Sequence, residues 1–517
     1  MSPQRKDKIA PNKLTFGKYI LDSLSVGMYS HPLMSLREYV QNSADAIDCL
    51  SRDQRNSPIE IVVDGRKRSL VIRDNGIGVS SCKARSSLLN IGCSEKDPTK
   101  NRGFRGIGRL GGIGYCDELR FTTKSKGESL ISACTWDCRR LQHLISDPHT
   151  STDTESLVEA ITVFEQSNYP GSPVDHFFTV EMNTIHDGRN DLLNVPAIRS
   201  YLSQVVPVPF HPDFHYGKVI DKELKSRARS YRTYCISVNG QQIYKPYRDV
   251  VSLCRGTVDS IKKITFVELQ EDAKILGFGW LGDLSLQGMV SPSTEMDGLR
   301  LRCGNILVGN KDTLSGFFRE RRFNNYLVGE IHVCDNGLIP NSRRDDFEDS
   351  DLKDKLYSAF IREIGIPFSR KIRYLSSERS KKKNSTSKNI LFRNASRVVD
   401  RGYISELQKE EIIQNLRRIN GNDSDCDKQF AANLVDRVLN SQHVLSVLSC
   451  QHRSNTDVIN LFKKTLEVVY SETMNRIEFE RLVKRLYDVI LQESPSVVSP
   501  KVGATIDDEL SKRDEII

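Results

Sequence analysis

The sequence predicts an α/β protein whose N-terminal part is an α+β sandwich, and three observations carry that reading. Residues 36–48, Leu-Arg-Glu-Tyr-Val-Gln-Asn-Ser-Ala-Asp-Ala-Ile-Asp, have helical spacing and put Glu38, Asn42 and Asp45 on one stripe at i, i+4 and i+7. Residues 59–63 and 69–72 alternate like strands around Asp64-Gly65, a hairpin signal. The second of these runs ends in Asp74-Asn-Gly-Ile-Gly78, an acid followed by two glycines.

The elements follow in order. Residues 14–30 carry Phe16, Tyr19, Ile20, Leu24 and Met28 at helical spacing, ahead of the Glu38 helix. After the hairpin, residues 100–114 are crowded with glycine, and strands are expected at 118–124, 129–136 and 176–185. Together they make one unit over residues 1–190, interrupted at 145–175 by an acidic, proline-containing insert that reads as a surface excursion. A second α/β unit spans 195–350, with strands expected at 235–238, 274–279, 299–302, 306–308 and 329–333. Residues 351–375 read as a helix. Residues 376–395, with Lys381-Lys-Lys383 and several serines, read as a basic linker. Helical spacing returns over 396–493 (Ile412, Leu416, Ile419; Leu434, Val438, Leu439), and 494–517 reads as a polar, disordered tail. There is no internal repeat.

Bulk properties bound the function class. A chain of 517 residues exceeds one core and implies two to four domains. With 38% apolar and 27% charged residues and no run approaching the ~20 apolar residues of a membrane span, a membrane protein is not expected. The N-terminus has no apolar segment of the kind that directs export. The twelve cysteines mostly sit inside apolar periodic segments, which favours reduced thiols and a cytoplasmic location. A net charge of +8 permits contact with nucleic acid without arguing for it.

The chemistry sits in three pieces. On the helix, Glu38 one turn before Asn42 suits a general base that polarises a water while the amide oxygen holds Mg²⁺, an ion that keeps few protein ligands. The bland alternative is an amphipathic helix with a polar exposed face. Asp74 can accept a hydrogen bond from an exocyclic amine while Gly76 and Gly78 let a flat base approach; the alternative is a plain tight turn. The third piece, Asn101-Arg-Gly-Phe-Arg-Gly-Ile-Gly-Arg-Leu-Gly-Gly-Ile-Gly114, contains a formal GxGxxG but follows no strand, so a dinucleotide fingerprint does not fit. A phosphate cradle or mobile lid fits better. No GxxxxGK[ST] run is present. Cys134, Cys138, His143 and His149 lack the spacing of a zinc finger.

The order of these pieces resembles the GHKL ATPases, the Bergerat fold, and in particular the 90-kDa heat-shock chaperone and MORC branches. The resemblance covers residues 14–190. Residues 20–30 with 36–46 are similar to the chaperone's first helix pair, and Ile91-Gly-Cys-Ser-Glu-Lys96 looks like the segment before the MORC lid. It implies ATP as ligand, Mg²⁺ on Asn42, Glu38 as general base, Asp74 as adenine-amine acceptor, and Gly76 and Gly78 at the adenine floor. Asp45, Ser94 and Lys96 would lie near the nucleotide. Gly103, Arg105, Gly106, Ile107 and Gly108 would meet the phosphates. Thr179 would help hold an adenine-bound water. The second unit resembles a transducer domain, and residues 337–347 look like the chaperone's catalytic loop. Arg343, or Arg344 if the register slips by one, would neutralise γ-phosphate charge. Beyond residue 376 neither the chaperone's dimerisation domain nor the MORC zinc module is evident.

The resulting expectation is a Mg-dependent ATPase, a homodimer in which ATP closes the lid and joins two N-terminal units through residues 12–30. Its output would be a clamp or switch on DNA or a protein client, with a defence-related role among the readings. Two rivals stay open: a chaperone-like machine acting on client proteins, and a non-hydrolysing nucleotide-sensing scaffold. A histidine kinase is disfavoured because residues 1–35 are too short for a phosphoacceptor domain.

Overall fold

The computed structural model describes residues 16–24, 31–51, 57–93, 103, 106–147, 153–403, 405–419 and 425–442. Its first part is a mixed α/β layer. In chain order it comprises α1 (Tyr19–Leu24), α2 (Leu33–Asp48), β1 (Ile59–Asp64), β2 (Ser69–Asp74), α3 (Ser81–Leu89), β3 (Cys116–Lys124), β4 (Leu130–Asp137) and α4 (Cys138–Ser146). Then come α5 (Thr154–Ile161), β5 (Thr162–Asn168), β6 (Phe177–Ile185), α6 (Val195–Val205), α7 (Gly217–Arg227), β7 (Ile236–Val238) and β8 (Gln241–Gln242). The eight strands form one sheet in the order β5-β4-β3-β6-β2-β1-β7-β8, antiparallel except for the β1–β7 pair. Alternation along β1 and β2 turns Ile61, Ile72 and Asp74 inward. There Leu36, Val40, Ala44 and Ile47 of α2 pack on them in one core.

The second part has a two-stranded hairpin, β9 (Val250–Ser252) with β10 (Val258–Ser260), and a five-stranded sheet. That sheet contains β11 (Ile264–Glu271), β12 (Lys274–Gly282), β13 (Gly298–Cys303), β14 (Ile306–Leu307) and β15 (Val328–Val333), in the order β11-β12-β15-β13-β14. Every residue of central β15 is buried, as expected of a strand covered on both faces. α8 (Asp351–Phe360) runs through a π-helical turn, Ile361–Gly365, into α9 (Ile366–Arg401). The chain divides into two compact units, Met1–Ser376 and Ser377–Ile517. Within the second, α10 (Glu406–Arg417) and α11 (Asp425–Leu439) build a small helical core that includes Leu416, Leu434 and Val438.

Four expectations need correction or limits. Residues 376–395 are helical within α9, not a coil linker. They hold no Gly or Pro and carry four Lys and two Arg, with Glu378 and Lys381 paired at i, i+3. The 145–175 insert is not an excursion throughout, because α5 and edge strand β5 belong to the first layer. The strand at 235–238 pairs with β1 of the first sheet, so the boundary at 190–195 is crossed; its pattern shows a strand but not its partner. Of the expected segments 12–30 and 396–493 only part is described, and 494–517 lies outside the described residues.

Candidate nucleotide site

The polar stripe of α2 is not a solvated face. Glu38, Asp45 and Ser43 are all buried, although charged and polar residues normally stay exposed. They face a cavity of about 820 Å³ between α2, the end of β2, α3 and the glycine-rich segment, a size that suits a small-molecule ligand.

One end of the cavity is organised by Asp74. Its Oδ2 accepts from Ser43 Oγ at 2.6 Å and its Oδ1 from the Gly76 amide at 2.9 Å, so the carboxylate is fixed at the mouth of the turn. The Ile77 amide donates to Ala46 O at 3.1 Å and ties that turn to α2. Two glycines are sterically required here. A Cβ at Gly76 would stand 2.6 Å from Ala46 Cβ. Gly78 has φ +69°, and its Cβ would stand 2.1 Å from Lys124 O. Phe178, Val180, Phe121 and Leu88 supply an apolar wall, and Phe178 lies in register with Asp74 across β2–β6. An anchored acceptor beside a flat apolar slot is what a purine amine needs.

The opposite end is charged. Arg344 Nε lies 3.2 Å from Glu38 Oε1, and Arg37 Nη2 lies 3.5 Å from the same oxygen. Burial pulls the Arg344 guanidinium below its ordinary value, with Glu38 opposing that shift. The loop that delivers Arg344 is built tightly. Arg344 has φ +56°, its amide donates to Asn341 O, its carbonyl accepts from the Gly309 amide, and Pro340 bridges Phe347. Between the two ends, the Gly103 amide donates to Asp45 Oδ2 at 2.9 Å, and a Cβ at Gly108 would stand 2.9 Å from Glu38 Oε2. Arg109 Nη1 donates to Gly106 O at 2.9 Å, and burial lowers this guanidinium to about 10.

The structure therefore brings together Glu38, Asn42, Asp45, Asp74, Gly78, Gly103, Gly106, Ile107, Gly108 and Arg344 around one cavity, with Gly76 beside it. Arg343 is exposed and contributes only its carbonyl, which accepts from Arg37 Nη2 at 3.2 Å; the alternative register, Arg344, is the one at the site. Thr179 does not line the cavity. It pairs with Arg73 across β2–β6 and so lies on the sheet face opposite Asp74 and Phe178. Ser94, Lys96 and Arg105 lie outside the described residues. Two residues escaped the sequence reading. Ser43, the anchor of Asp74, could have been found from its place beside Asn42. His176, whose Nδ1 is 2.7 Å from Gly76 O, is 100 positions away from its partner and gives no local signal.

Asn42 is an oxygen donor in the wall, with its Oδ1 3.0 Å from where a Gly103 Cβ would stand. Among the described residues no cluster of three or more His, Cys, Asp or Glu could hold a metal by itself. A lone amide oxygen such as that of Asn42 suits an ion like Mg²⁺, which takes few protein ligands and completes its shell with waters and phosphate oxygens.

Comparison with known proteins reaches the same segment. Residues 29–166 match the model of the family described as histidine kinase-, DNA gyrase B-, and HSP90-like ATPase. The chain is 31% identical over 144 residues to the chaperone protein HtpG of Mycolicibacterium gilvum, covering 23% of this chain and 22% of that protein. It is 33% identical over 94 residues to HtpG of Buchnera aphidicola, covering 16% and 15%. It is 26% identical over 180 residues to HtpG of Bacillus velezensis, covering 31% and 28%. The chain thus spans under a third of the length of these relatives. No helix among the described residues is long and apolar enough to cross a membrane.

Proposed function

We propose that this chain, whose residues 29–166 match the family model described as histidine kinase-, DNA gyrase B-, and HSP90-like ATPase, binds ATP in the cavity and hydrolyses it. The observation that carries the reading is the polarity of the cavity. Asp74 is anchored at an apolar end, and the Glu38 carboxylate faces Arg344 at the other. In this reading Asp74 accepts from the adenine amine and Glu38 takes the proton of the attacking water. Arg344 moves from Glu38 to the γ-phosphate as charge builds there. Asn42 would hold Mg²⁺, which when bound neutralises phosphate charge. Asp45 holds Gly103 so that the glycine-rich segment can close over the phosphates. Glu38 has no use in a scaffold that only senses nucleotide, which favours turnover.

The output we propose is a conformational switch acting on a macromolecule, with ATP drawing two N-terminal units together. The similarity to proteins named chaperone protein HtpG favours a protein client over DNA. Calorimetry and a phosphate-release assay on the full chain test the site. Glu38→Ala should retain ATP affinity and lose turnover by ~10²-fold or more. Asp74→Asn should lose nucleotide binding. Unchanged turnover in the first variant, or retained micromolar affinity in the second, overturns the assignment. A rise in solution mass with a non-hydrolysable ATP analogue tests the dimer.

A further inference from the structure

One side chain on α2 has no task in this scheme. Gln41 stands one turn after Glu38, at i, i+3, and is fully buried. Among the described residues neither its amide oxygen nor its amide nitrogen has a hydrogen-bond partner. Buried amides in folded proteins are nearly always satisfied, so a pair of orphaned atoms on one side chain points to a partner that arrives later.

The position says which partner. A Cβ at Gly103 would stand 2.7 Å from Gln41 Nε2, 3.0 Å from Asn42 Oδ1 and 3.7 Å from Asp45 Oδ2. Asn42, Asp45 and Gly103 all line the cavity that Glu38 and Arg344 also line. A side chain on residue 103 would drive into the Gln41 amide, so that amide packs directly against Gly103, next to the cavity-lining Asn42. The unpaired set is one donor and one acceptor held together in one plane. A water poised against a terminal phosphate presents the complement: a proton to give and an anionic oxygen to receive. Glu38 is a carboxylate and can supply only acceptors. An amide can accept from the water through Oε1 and donate to a γ-phosphate oxygen through Nε2, as glutamines do in other nucleoside triphosphatases.

We propose that Gln41 is a positioning residue that bridges the attacking water and the γ-phosphate of ATP. The inference rests on the ATPase reading above and adds a residue to it. In the step it serves, the water oxygen bonds to the γ-phosphorus and the water's proton passes to Glu38. The bond from the γ-phosphorus to the bridging oxygen breaks, with its electron pair leaving on ADP. Gln41 changes no bond; it fixes the line of attack.

The test compares wild type with Gln41→Met, which keeps the volume and removes both polar atoms, and Gln41→Glu, which keeps an acceptor and removes the donor. Turnover, ATP and ADP affinities and the melting temperature without nucleotide are measured on the full chain. Both variants should lose about tenfold or more in kcat. ATP binding should weaken severalfold, and ADP binding, which involves no γ-phosphate, should hold. Gln41→Met should melt no lower than wild type, because it removes unsatisfied buried atoms. Wild-type kcat and an unchanged ratio of ATP to ADP affinity in Gln41→Met overturn the proposal while leaving the ATPase reading intact. Loss of ADP binding together with a lower melting temperature also overturns it, by showing a structural role. If wild type binds ATP without turnover, the affinity ratio alone decides. If wild type binds no nucleotide, both readings fall.

Discussion

Two buried carboxylates, one in each sheet-bearing part of the first unit, show how differently a protein can use the same group. Glu330, central in β15, is closed in on every side. Its oxygens meet Lys245 Nζ at 2.6 Å, Arg302 Nε at 2.6 Å, His332 Nε2 at 3.1 Å and Tyr247 OH at 3.2 Å. Lys245 also donates to Asn305 Oδ1 at 2.9 Å, and no member of this group touches solvent appreciably. Glu38 instead meets Arg344 and Arg37 at longer range, opens onto a cavity, and sits beside the unpaired Gln41 amide and Arg37 Nε. The Glu330 carboxylate itself is fully engaged, although Nδ1 of the neighbouring His332 has no partner among the described residues, whereas the Glu38 carboxylate borders an open cavity. The difference sets a sealed ionic network in the second part against a carboxylate that borders a cavity in the first.

The sharpest way to break that contrast is to remove each carboxylate in turn. Glu330→Ala strands Lys245 and Arg302 in a sealed interior, and loss of one partner from a buried ion pair costs ~3–5 kcal/mol. Glu38→Gln leaves its arginines beside an open cavity and should cost ~1 kcal/mol or less. Denaturant midpoints at constant m-value measure both. Equal losses would show that the Glu38 cluster is structural too.

The same contrast should appear against pH. Burial, opposed by the Glu330 carboxylate, pulls the His332 imidazole from 6.5 down to about 4. Lys245 and Arg302 are the cations near it, and the Tyr231 ring packs edge-on at 5.3 Å. Between pH 6.5 and 4 the unfolded chain binds a proton that the folded chain refuses. Stability therefore falls as pH drops through that window, by about 3 kcal/mol from this one group. Glu330 adds to the loss at lower pH: burial opposes it, yet Arg302 and Lys245 hold its carboxyl well below the usual range. His332→Phe should flatten the curve between pH 6.5 and 4 by about one proton. An unchanged slope would mean that His332 is protonated in the folded chain.

How much of this could be read from the chain follows from the distance over which each signal acts. The Glu38 helix and the Asp74 turn were legible because α2 and the β1–β2 hairpin are local and their spacing states their geometry. The glycines at 76 and 78 carried meaning because backbone crowding and positive φ exclude other residues there. The Glu330 cluster was not legible. Lys245, Arg302 and Glu330 lie up to 85 positions apart and read singly as ordinary surface charges until the sheet closes over them. Strand β11 was missed because its half-exposed side chains give no clean alternation. Thr179 was misplaced because a one-residue shift along a strand exchanges its faces.

The same one-residue ambiguity decides the last effect, at the loop through which the second part reaches Glu38. Arg343 and Arg344 are neighbours of identical chemistry, and only the turn separates their fates. A left-handed Arg344, pinned through Asn341 and Gly309, sends its guanidinium to Glu38, while Arg343 points outward. Arg344→Ala should therefore lower turnover by ~10²–10³-fold, the range for losing one charge-stabilising donor, with a smaller change in ATP affinity. Arg343→Ala should stay near wild type, because Arg37 bonds only its backbone carbonyl, which alanine keeps. Arg344→Lys sharpens the point. It preserves the charge but not the planar guanidinium, so partial rescue would assign the effect to charge, and none would assign it to the geometry of the fork. Steady-state turnover on the three variants, with the melting temperature as a folding control, separates these outcomes. A defect that follows Arg343 instead would mean that the loop changes register when nucleotide binds.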